Sequence, residues 1–241
     1  MKKENIVAIV GIVVLIVIII ITTFLALFHS NDEKEKEEKP NYKISVNYDK
    51  QIEFSKTGMY DKLYFSQIKT NIKDKELLKV VEKLNQKSNT LYEKVKSYTI
   101  DETKCPNIKN EYNYALRIES GIRANIVGDV VSIIMTVDEY DHCLNQSLGS
   151  NIEGYLYDLK NHKFITNQEY LKQKGYQEKE VMEAMEKVFF RHNSQSNSEE
   201  VWKSIEQAKK YVISDSKDGM MIQFYSPTEK VWYPLTESEI K

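Results

Sequence analysis

Apolar and polar residues alternate along YKISVNYDKQIEF and LYFSQIKTNI, the period-two pattern of half-buried strands. The period then lengthens. In DKELLKVVEKLNQKSNTLYEKVKSY, Leu77, Val81, Leu84, Leu91 and Val95 recur at helical spacing and fall on one face. Asp74 stands where an N-cap belongs. TIDETKCPNIKN, with Pro106, interrupts both periods and reads as a loop. Alternation returns at Tyr112, Tyr114, Leu116 and Ile118, and again at Val131, Ile133, Met135 and Val137. Gly128-Asp129 between these runs is a hairpin turn signal. VVSIIMTV is apolar enough for a central strand. SLGSN, Ser147 to Asn151, reads as a turn, and EGYLYDLKNHKF as a further strand.

Helical patterns follow. TNQEYLKQKG has a cap at Thr166 or Asn167 and a stop at Gly175. EKEVMEAMEKVFFRHN sets Val181, Met185, Val188 and Phe189 on one stripe, with Met182 and Met185 as core filler. SNSEEVWKSIEQAKKYVI opens on Asn197 and Glu200, close to a capping box. The chain closes with two strands around Lys217-Asp218-Gly219 and a tail holding Trp232 and Tyr233. Strands, helix, strands, helices, strands is an α+β order, predicting one domain with a largely antiparallel sheet packed by helices.

The first forty residues follow another pattern. From Ile6 to Phe28 none is charged. As a helix that run extends roughly 35 Å, enough to cross a bilayer core. A cleavable signal peptide would be shorter and end in a small-x-small site, which FLALFHS lacks. NDEKEKEEKP after it has nothing to pack and reads as a solvated spacer. The expected organisation is a cytoplasmic tail at 1–5, a transmembrane signal anchor at 6–28, a charged linker at 29–40 and an extracytoplasmic domain at 41–241. The protein is expected in the cell membrane, single-pass, with its C-terminal domain outside the cytoplasm.

Charge narrows the partners. Five of the 34 basic and six of the 36 acidic residues precede position 41, so the outer domain is nearly neutral. Nucleic-acid binding calls for a basic face, and none clusters here. Arg117, Arg123 and Arg191 are the only arginines in the chain, too few for a phosphate clamp.

Motifs for chemistry are sparse. The sequence has no P-loop, no dinucleotide-binding glycine run and no Gly-x-Ser-x-Gly elbow. No cofactor is implied. His29, His142, His162 and His192 do not pair at metal-ligand spacing. The densest reactive stretch is DEYDHCLNQ, Asp138 to Gln146, read as a strand running into a loop. On a strand Asp141 and Cys143 share a face while His142 does not, so no metal site is assigned. Asp138 with Glu139 or Asp129 could form a carboxylate pair, but no catalytic residue is assigned. Tyr140, Asp141 and His142 are the candidates for a binding loop. Cys105 and Cys143 are either free thiols or a disulfide, which would close about 38 residues and contribute about 4 kcal/mol.

The segment order, with Ser132-Ile133, the run Tyr155-Leu-Tyr157-Asp158-Leu159-Lys160, and the closing strands with Gly219 and Phe224-Tyr225, resembles the RsiV-like extracytoplasmic family. That family includes a lysozyme-sensing anti-sigma factor and non-catalytic N-terminal regions of peptidoglycan deacetylases. The resemblance spans about Tyr60 to Pro227. It implies a non-catalytic binding or sensor module of a bacterial envelope, its partner a cell-wall component or an envelope protein, lysozyme-like enzymes included. There are departures. DHCLNQSLGS lacks the family's Gly-Gly-Ala-His, about five residues precede the span, and no deacetylase domain follows before Lys241. The near-neutral outer domain lacks an acidic field to steer a cationic lysozyme. The alternatives are a wall-acting hydrolase using Asp138, Asp141, His142 or Cys143, and an anti-sigma-like regulator signalling through a membrane partner.

Overall fold

The computed structural model describes residues 41–54, 61–97, 116–141, 146–193, 198–208, 210–226 and 231–240. All but Asn41 fall in one compact unit, Tyr42–Lys241. The expected tail, anchor and linker at 1–40 lie outside the described residues, as do Cys105, His142 and Cys143. Among the described residues no helix is long and apolar enough to cross a membrane.

The described residues form nine strands and five helices, an α+β fold in which all strand pairs are antiparallel. Strands β1 (Ile44–Phe54) and β2 (Asp61–Thr70) make a two-stranded ribbon. Helix α1 (Lys75–Lys96) follows. Asp74 caps it, its Oδ1 accepting from the N–H groups of Glu76 (2.9 Å) and Leu77 (3.3 Å). Its buried stripe is Leu77, Val81, Leu84, Ser88, Leu91 and Val95, the predicted face with one serine added.

A four-stranded sheet comes next, in the order β3 (Leu116–Val127), β4 (Val130–Asp141), β5 (Gln146–Asp158), β6 (Lys163–Ile165). Gly128 (φ 61°) turns the chain between β3 and β4, as its residue type predicts. VVSIIMTV lies in β4, one of the two inner strands. Ser147–Asn151 is not a turn but part of β5. The register there slips at Glu139/Tyr140, and Gly149 (φ 141°) adopts a conformation other residues rarely take, so glycine marks a bulge and not a strand end.

Helices α2 (Asn167–Gln173), α3 (Glu178–His192) and α4 (Ser198–Ala208) precede a three-stranded sheet, β7 (Tyr211–Ser216), β8 (Gly219–Ser226) and β9 (Val231–Thr236), and a final turn of helix, α5 (Glu237–Ile240). Thr166 caps α2, with Glu169 closing the capping box. Two further expectations need correction. The strands form three sheets and not one. The expected C-terminal tail is β9, whose alternation Pro234 conceals. β9 lies at the sheet edge, where a residue without an N–H is tolerated.

The four-stranded sheet is covered on both faces. Val131, Ile133, Met135, Val137 and Tyr157 pack with α1 and the β1–β2 ribbon. Val130 and Leu156 pack with α2, α3, α4 and the third sheet. That double cover explains why β4 lacks a polar face. At the second interface β7 crosses close to β5. A Cβ on Gly154 would stand 2.8 Å from the Val212 Cβ, so glycine is the residue that admits this approach.

Candidate ligand-binding cleft

Where the third sheet meets the four-stranded one, an open cleft of about 550 Å³ is left. Four separate parts of the chain supply its lining. β3 presents Arg123 and Asn125. β7 and its turn present Ser214, Asp215, Ser216 and Asp218. Met220 and Met221 come from β8, and Thr236, Glu237 and Ser238 from the end of β9 and the start of α5. Strand alternation places Arg123 and Asn125 opposite Ile134 and Ser132, on the sheet face turned toward β7.

The buried part of the cleft wall is a closed polar cluster. Asp215 is 2% exposed. Its Oδ2 accepts from the Tyr170 hydroxyl and from Lys174 Nζ (2.6 Å), and its Oδ1 from the Ser216 N–H (2.9 Å). Its own N–H donates to Ser132 Oγ (3.1 Å), tying β7 to β4. Burial, and then the adjacent Asp215, push the Tyr170 phenol far above its ordinary range, so it stays a donor. A buried carboxylate is tolerable only when so satisfied. Lys174 and Tyr170 also line a second cleft of about 370 Å³ with the Gly128 turn, so this cluster is the wall between the two.

Most of the remaining lining is committed too. Glu237 accepts from the Tyr176 hydroxyl (2.7 Å) and the Met220 N–H (3.3 Å). Thr236 donates from its N–H and its hydroxyl to Glu239, both at 2.9 Å. Those donors, the backbone N–H first, hold Glu239 below its ordinary value, and Arg191 adds an ion pair at 3.0 Å. Ser214 Oγ donates to Met221 O (3.4 Å), and Ser216 Oγ to Gly219 O (3.4 Å) while accepting from the Asp218 N–H (3.2 Å). Three side chains are left over. The Arg123 guanidinium, the Asn125 carboxamide and the Asp218 carboxylate have no hydrogen-bond or ion-pair partner among the described residues. Arg123 and Asp218 are exposed, and Asn125 is half-buried.

The other ionic networks serve as staples. Glu153 on β5 accepts from Lys87, from Lys83 (3.1 Å) and from the Tyr155 hydroxyl (3.0 Å). Burial alone would raise its carboxyl, but Lys87, then Lys83 and Tyr155, outweigh that and hold it at about 2. Lys94 pairs with Glu139 at 2.9 Å. All three ion pairs fasten α1 to the four-stranded sheet. At the helix start, His162 Nδ1 lies 3.2 Å from Asp74 Oδ2. The Tyr157 hydroxyl faces Asp74 without closing a hydrogen bond of normal geometry; it, the capped N–H groups and His162 hold that carboxyl low.

The candidates named from sequence fall elsewhere. Tyr140 and Asp141 belong to β4 and not to a loop, paired with Ser147 and Gln146 of β5, and both are half-buried. His142 lies outside the described residues. Asp138 and Glu139 are successive strand residues and point to opposite faces. Asp129 sits at the other end of β4, nine residues from Asp138 along the chain. That is roughly 30 Å at strand rise, far beyond the separation of glycosidase carboxylates. Among the described residues no group of three His, Cys, Asp or Glu could hold a metal ion. Sequence reading missed the cleft because its residues come from distant segments. The available signal was Arg123, one of only three arginines in the chain.

No family model matches the chain. No curated protein matches it. It is similar to a solved structure, that of a DUF3298 family protein from Pseudomonas aeruginosa, with 11% identity and a TM-score of 0.34 over 80% of this chain and 90% of that one.

Proposed function

We propose that the protein is a membrane-anchored binding module of a bacterial cell envelope, its domain held outside the cytoplasm. The observation that carries this is the open cleft, in which a cation, an amide and a carboxylate stand without partners among the described residues while most polar groups around them are hydrogen-bonded. Arg123 and Asp218 are exposed within that concavity and open to a ligand. The uncharged run Ile6–Phe28 and the charged spacer after it support the anchor. The segments Ser132-Ile133 and Tyr155–Lys160 support an RsiV-like relationship, and with it a wall component or wall-active enzyme as partner.

The test is capture from an envelope extract by the full chain in detergent micelles, with a parallel arm offering lysozyme alone. Specific retention of a wall fragment or a wall-active protein is expected. An extract and a lysozyme arm that both leave the protein bare contradict the proposal.

A further inference from the structure

We infer that the cleft takes a zwitterionic ligand of the amino-acid or peptide type, its carboxylate on Arg123 and its ammonium on Asp218. The inference rests on the binding-module reading and deepens it. Arg123 and Asp218 line one cleft, yet form no ion pair with each other or with any described residue. A simple anion on Arg123 shares the cleft with the carboxylates of Asp218 and Glu237, and like charges oppose it. A simple cation drawn to Asp218 meets Arg123. A neutral ligand would desolvate both charges and pair neither. Only a ligand with one charge of each sign satisfies both. The guanidinium is planar and suited to two parallel hydrogen bonds with a carboxylate. The Asn125 carboxamide, in the same lining, can both donate to and accept from a peptide group. The cleft volume of about 550 Å³ suits a small ligand rather than a single ion.

Calorimetry on the full chain in detergent micelles tests this, with a panel of unmodified dipeptides, Ala-Ala among them. The same dipeptides follow with the amine acetylated or the carboxyl amidated, and then the free amino acids. Blocking either end is expected to weaken binding about tenfold or more, the effect of losing one charged hydrogen-bonded contact. Arg123→Gln should abolish the sensitivity to amidation, and Asp218→Asn the sensitivity to acetylation. Neither side chain has a partner to lose, so both variants should keep the wild-type thermal midpoint. Free amino acids binding as well as dipeptides identifies the former as the source of the zwitterion, and preference for dipeptides the latter. Blocked peptides that bind as well as free ones, or binding indifferent to both substitutions, overturn the inference. So does a panel that does not bind while the chain still captures an envelope partner, which leaves the module reading standing. Peptide binding with no captured partner upholds the inference and removes the macromolecular partner.

Discussion

At the scale of single residues, charge is what the structure resolves. Glu153 is tied to Lys87, Lys83 and Tyr155 and is held at about 2, against an ordinary 4.5. A carboxyl lowered on folding stabilises the fold above its unfolded value and loses that contribution as pH falls through its folded value. The window is therefore pH 4.5 down to about 2, and the contribution at neutral pH is at most about 3 kcal/mol. Glu153→Gln should lower the unfolding free energy by up to that amount at pH 7. The gap between variant and wild type should close across the same window in denaturant titrations. A gap that is constant from pH 7 to 2 contradicts the assignment. Asp74 was readable as a helix cap because its partners are its own next residues. Asp215 was not, because Tyr170 and Lys174 lie over forty positions away in sequence and reach it only through the packing of α2 against β7.

At the scale of elements, periodicity carried most of the information. The apolar stripe of α1, the turn at Gly128 and the hairpin at Lys217-Asp218-Gly219 are local, and each forms where its residues predict. Elements whose evidence is not local were misread. β9 contains a proline that only an edge position allows, and the start of β5 contains a glycine that only a bulge requires. Gly154 belongs with these, since a glycine inside a strand acquires its reason only from what crosses it. Gly154→Ala should push β7 from β5 and cost about 1–3 kcal/mol, the usual penalty of overpacking. The contact is with the Val212 Cβ, which no side-chain rotation moves, so the strain should appear as a lowered thermal midpoint. An unchanged midpoint would show that the two strands have room to part.

At the scale of the whole molecule, alternation tells which side of a strand is buried but not what buries it. The single sheet expected from sequence is three, because β4 and β5 are covered on both faces by different layers. The cleft is a product of that layering. Its uncommitted Arg123 and Asp218 lie on β3 and in the β7–β8 turn, which no spacing rule connects. The stretch around Tyr140 and Asp141, richest in reactive side chains, continues a strand. We propose that this domain lies on the outer side of a membrane, joined by a charged spacer to an anchor at 6–28. The most direct measurement is protease treatment of intact spheroplasts expressing the full chain with a C-terminal epitope. Cleavage in the spacer should release the epitope-bearing domain from the pelleted membranes before lysis. An epitope that stays protected until the membrane is opened would contradict the account.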